Sequence, residues 1–152
     1  MAASQMDGYA LTQVEYGVRS DKATAALPAS TTGTLFTVAG GRVVIRALLG
    51  EVTTIIQAQA TTLKLVSTPT VGTAVDLCTT ADLNGLEVGG RVALPGAVGS
   101  ALTKANAGAI ALQTANLVVG IGTIGALTVA TSTGSVKWTC WWVPLDQGAT
   151  LV

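Results

Sequence analysis

Histidine is absent from this chain of 152 residues. With it go the commonest general base and metal ligand, and the Ser-His and Cys-His pairs that activate nucleophiles. Charge is scarce as well: 11% of the residues are charged, against roughly 25% in average globular chains. That excludes a disordered acidic or basic tail and a charge-rich helical protein. Eight Lys and Arg balance eight Asp and Glu, so no net field draws phosphates or anionic lipid, and no nucleic-acid partner is expected. Cysteine is limited to Cys78 and Cys140, far apart and without the spacing of a zinc site. Both read as small core residues, with a disulfide between them left open. Basic residues are missing from the first ten positions, which carry Asp7, so no secretory signal is expected and the chain reads as cytoplasmic in origin.

One uncharged stretch is long. Thirty-two residues separate Lys104 from Lys137, more than the roughly 20 that span a bilayer as a helix. Gln113, Asn116, Gly120, Gly122, Gly125 and a Thr- and Ser-rich run from Thr128 to Ser135 interrupt it, so it reads as three short strands at 109–113, 117–121 and 126–130 rather than a membrane span.

What is present is β-branched and apolar texture cut by turn residues. From residue 34 onward, runs of five to ten such residues alternate with Gly, Pro and Asn signals. Strands are expected at 35–38, 42–49, 51–60, 63–67, 75–79, 86–88, 91–94 and 135–143 beside the three above. Gly40-Gly41 and Asn84-Gly85 read as turns, 51–60 and 63–67 as a hairpin, and 97–107 as the one place for a helical turn. Strands this short and this closely spaced predict an all-β fold, a β-sandwich or jelly-roll-like barrel over residues 34–152. Residues 1–33 read as an N-terminal arm and linker, whose stretch 11–18 fits a strand or a short helix. A chain of this length can bury roughly 68–70% of its unfolded surface in one core.

Chemistry-bearing patterns are few. Gly120, Gly122 and Gly125 match G-x-G-x-x-G, but the β-branched, Thr-rich residues that follow leave no room for a βαβ unit, so turns or bulges are expected. The carboxylates are scattered singly, and the loop holding Asp82 and Asn84 lacks the further acids of a calcium loop. No catalytic, cofactor or metal residue is assigned. The run 135–144 is more telling: with period two, Val136, Trp138, Cys140 and Trp142 share one face and Lys137, Thr139, Trp141 and Val143 the other. If the first face is core, Trp141 lies outside, to be covered by the same chain, by another subunit, or by a sugar ring. So little charge and no net charge favour a symmetric oligomer or a lattice.

The stretch from Gly33 resembles small β-rich head proteins of tailed bacteriophages. The likeness rests on Gly33-Thr-Leu-Phe-Thr-Val-Ala-Gly-Gly41, on Val43-Val-Ile-Arg-Ala-Leu-Leu-Gly-Glu-Val-Thr-Thr54, on Gln57-Ala-Gln59 before Leu63-Lys-Leu, and on Val136-Lys-Trp with Val143-Pro-Leu145. The resemblance implies a capsid decoration or cement protein: a β-sandwich, dimeric or trimeric, that clamps major capsid subunits from the virion exterior after synthesis in the bacterial cytoplasm. It implies no enzyme activity and no cofactor. On this expectation the partner-facing residues are Tyr9, Leu11, Tyr16 and Arg19 of the arm, Arg42 and Arg46 on one strand face, and Trp141. A tail-associated or carbohydrate-binding sandwich is the alternative.

Overall fold

The computed structural model describes residues 7–57, 59–106, 108–129 and 133–152. They form an all-β sandwich preceded by one short helix, α1 (Gly8–Tyr16). Twelve strands follow: β1 (Val18–Ala26), β2 (Thr32–Ala39), β3 (Val43–Thr54), β4 (Thr62–Pro69), β5 (Val75–Asp76), β6 (Ala81–Asp82), β7 (Arg91–Ala93), β8 (Thr103–Ala105), β9 (Leu117–Val119), β10 (Gly122–Thr128), β11 (Ser135–Pro144) and β12 (Thr150–Leu151).

One sheet runs β1-β11-β3-β7-β8, with β9 also on β3; the other runs β12-β2-β10-β4-β5, with β6 also on β4. Every pairing of these strands is antiparallel. A single buried cluster fills the space between the sheets. Ile45, Leu48, Val52, Trp138 and Trp142 enter it from the first sheet, and Phe36, Val38, Leu63, Leu65 and Ile124 from the second. The alternation of β11 is as read from the sequence: Val136, Trp138, Cys140 and Trp142 are buried. Cys78 and Cys140 are both buried and free, and burial pushes the Cys140 thiol up to about 12.

Several local expectations give way. The two strands expected at 42–49 and 51–60 are one strand, β3, because Gly50 is a contact point and not a break. A Cβ there would lie 2.7 Å from Val92 and 2.9 Å from both Trp138 and Val136. The hairpin of 51–60 with 63–67 does not form. Buried Ile56 and Thr61 carry the chain to the opposite sheet, where β4 lies between β10 and the short strands β5 and β6. Asn84-Gly85 does turn, with the Leu86 N–H donating to the Leu83 carbonyl at 3.1 Å, but residues 86–88 are not a strand. Leu83 and Leu86 bury their side chains instead. Residues 109–113 are irregular: the Gln113 amide donates to the carbonyls of Ile45 and Ala115, each at 2.8 Å, so this segment lies along β3 without pairing as a strand. Residues 97–107 hold no helix among those described; the expected turn is a single one, with the Ser100 N–H donating to the Ala97 carbonyl at 2.9 Å, and β8 follows. Of the expected strand at 126–130, Ala130 lies outside the described residues.

The glycine motif is β structure, as its flanks require. Gly122 opens β10 at φ 151°, where a Cβ would collide with the Thr68 carbonyl oxygen on β4. Gly125 sits at a bulge against β2. Among the described residues no helix follows Gly125, which lies within β10. Among the described residues no helix is long and apolar enough to cross a membrane, and no three His, Cys, Asp or Glu side chains cluster as metal ligands.

Candidate interface around Trp141

β11 carries Trp141 on the outer face of the first sheet, and a bulge in its partner strand shapes the surroundings. Trp141 pairs with Ala47 and Trp142 with Ile45, so Arg46 is the extra residue on β3. The bulge re-phases that strand: Val43 and Ile45 face the core before it, and Leu48, Gly50 and Val52 are buried after it, while buried Ala47 sits opposite Trp141. It also frees Arg46 to reach α1, where its guanidinium donates to the Glu15 carbonyl at 2.9 Å.

The helix forms for local reasons. The Asp7 carboxylate accepts from the Ala10 N–H at 2.7 Å, satisfying one of the unpaired donors of the first turn. Gly17 ends the helix at φ 92°, its N–H donating to the Gln13 carbonyl at 2.8 Å. Tyr16 then meets Trp141 with ring centroids 6.5 Å apart and planes tilted by 57°. From β1, the Arg19 guanidinium lies 5.8 Å from the Trp141 ring centroid, within cation–π range. Trp141 is thereby half-buried by its own chain.

Beyond these anchors α1 is unpacked. None of its residues is buried; Tyr9 is 61% exposed, Leu11 55% and Val14 70%. Between helix and sheet runs an apolar groove of about 110 Å³ lined by Thr12, Tyr16, Leu112 and Trp141. A helix with an apolar set of residues turned to water and an aromatic groove at its base is suited to apolar docking.

Of the seven residues expected to face partners, the fold gathers Tyr16, Arg19, Arg46 and Trp141 into this patch and puts Tyr9 and Leu11 on the helix leading into it. Arg42 lies apart from this patch, with its side chain 58% exposed. It precedes β3 instead of sharing a strand face with Arg46, and its guanidinium is held by Asp146, with Nε to Oδ2 at 2.9 Å and Nη2 to Oδ1 at 2.8 Å. The Asp146 carboxylate also accepts from the Arg42 backbone N–H at 2.8 Å. These bonds from Arg42 hold the Asp146 carboxyl far below the usual carboxylate range. Arg42 therefore closes the β2–β3 turn onto the segment after β11.

Leu112, Thr12 and Val14 escaped the sequence reading. Leu112 was assigned to a strand that does not exist. The spacing of Leu11 and Val14 at i and i+3, with Asp7 as a cap, is the available signal for the helix and its apolar side. No family model, curated protein or solved structure matches this chain.

Proposed function

We propose that this chain is a structural protein of a tailed-phage virion, one that decorates the capsid exterior and stabilises it by bridging major capsid subunits. The observation that carries the proposal is the state of α1: Tyr9, Leu11 and Val14 face water on a helix that buries none of its own residues. Apolar surface exposed on an ordered helix is stabilised by burial against a neighbour, at about 25 cal/mol per Å² removed from water. The low charge and zero net charge fit a surface covered by other subunits, and the resemblance of residues 33–152 to phage head proteins supplies the neighbour's identity. In this reading the protein self-associates as a dimer or trimer, acts without cofactor, metal, nucleic acid or membrane, and is not an enzyme.

Pelleting with expanded phage heads that lack the protein tests the proposal. Wild-type protein sediments with the shells, and a folded Leu11→Asp/Val14→Asp variant stays in the supernatant. Wild-type protein that ignores the shells overturns it. A second reading, a tail-associated or carbohydrate-binding module, is favoured by the Tyr16–Trp141 pair flanking the groove. It predicts glycan binding that Trp141→Ala abolishes while the shells play no part.

A further inference from the structure

β1 ends its sheet: one edge pairs with β11, and among the described residues no strand covers the other. Such an edge is a template for another chain unless something blunts it. Here the register with β11 slips between Lys22 and Ala25, so the regular part of the edge is residues 18–22 and its midpoint is Ser20. α1 runs over β11 towards Arg46 on β3, away from this edge.

The side chains of this short edge are self-complementary about the same midpoint. Arg19 and Asp21 point to the outer face, where Arg19 lies over Trp141 and donates through Nε to the Asp21 carboxylate at 3.0 Å, and Asp21 accepts from the Thr139 hydroxyl at 2.7 Å; both side chains stay about half exposed and free to exchange this exposed pair for one across a strand edge. Ser20 points inward, its hydroxyl donating to the Leu151 carbonyl at 2.8 Å and accepting from Trp142 Nε1 at 3.0 Å. Two identical strands joined antiparallel into one continuous sheet are related by a twofold axis perpendicular to it, which keeps each residue on its own face. The axis therefore passes through a residue. Centred on Arg19 it sets Arg19 against Arg19; centred on Asp21 or Lys22 it again sets like against like. Centred on Ser20 it sets Arg19 opposite Asp21 of the second copy, Asp21 opposite the second Arg19, and Val18 opposite the stem of the second Lys22.

We propose that two copies of this chain associate through β1, antiparallel and centred on Ser20, joining their outer sheets into one continuous sheet across the twofold axis. Pairing about this axis uses the free β1 edge of both copies and so stops at two, and the bulge after Lys22 confines the regular pairing to residues 18–22. This dimer does not depend on the capsid reading: either can fail while the other stands.

Charge complementation tests it. Arg19→Asp leaves two acids on the edge and Asp21→Arg leaves two bases. Each variant alone faces like charge across the axis, while a mixture of the two restores both opposite pairs. Sedimentation equilibrium of the full chain is expected to show a dimer, weakened about tenfold or more in each single variant and restored in the equimolar mixture as a heterodimer. Unchanged circular dichroism and melting in the variants confirm that folding is not what was lost. A wild-type chain that stays monomeric to about 1 mM, or closes as a trimer, overturns the proposal. So does a dimer that the single variants leave unaltered, or one that the mixture fails to restore.

Discussion

A methyl group added at Gly50 would lie within 3 Å of Val92, Trp138 and Val136 at once, so the absence of a side chain there is a packing requirement. Gly50→Ala is expected to cost about 1–3 kcal/mol, as overpacked cores do, and to lower the melting temperature without altering the strand content seen by circular dichroism. The sequence shows a glycine but not the Trp138 ring that lies over it, which is why it read as a break between two strands. By contrast, the inward set Val136, Trp138, Cys140 and Trp142 was legible, because one face of β11 is buried along its whole length. The Arg42–Asp146 pair was invisible, since its members stand 104 positions apart. Its pH behaviour follows from the depressed folded-state pKa of Asp146. The unfolded carboxyl titrates near 3.9, so the pair's contribution is fully present above that value and is lost as pH falls through the lower folded pKa. The melting difference between wild type and Asp146→Asn is expected to be constant from neutral pH to about pH 5 and to shrink with acidification below about pH 4. A difference that grows towards acid would contradict the assignment.

Elements differ in how firmly they are held. β11 is paired on both sides, with β1 and β3, and its core face carries two tryptophans. α1 is held by its Asp7 cap, the Tyr16–Trp141 contact and the bond from Arg46, with no buried side chain. Hydrogen exchange should therefore be slowest in the centres of β3 and β11 and orders of magnitude faster in α1, which opens without disturbing the sandwich. Protection of α1 amides equal to that of β11 would mean that the helix is part of the core. Strand existence was legible wherever apolar and β-branched runs met turn residues, as in β2, β4, β7 and β11. Strand pairing was not, because the residues that turn a hairpin also turn the chain between sheets: Gly40-Gly41 links β2 and β3, which lie in different sheets. The irregular segment 109–113 reads as a strand from its apolar residues, but Ala109, Ala111 and Leu112 are exposed and its tie to β3 is the Gln113 amide on the Ile45 carbonyl, which local sequence does not show.

For the whole molecule, the class of fold followed from composition and rhythm, and the core from period-two patterns; the partner surface depended on where α1 lands. Tyr16, Arg19, Arg46 and Trp141 come from four separate elements or their flanks, and only the folded chain brings them together. We propose that this low-charge sandwich, with Tyr9, Leu11 and Val14 exposed on its helix, takes further contacts from neighbouring capsid subunits. DNA-filled heads lacking the protein, heated with and without the purified chain, give the most direct measure of that assignment. The expected result is a release temperature that rises with added protein and levels off at a fixed number of copies per major capsid subunit. A release temperature that stays the same at saturating protein would contradict it.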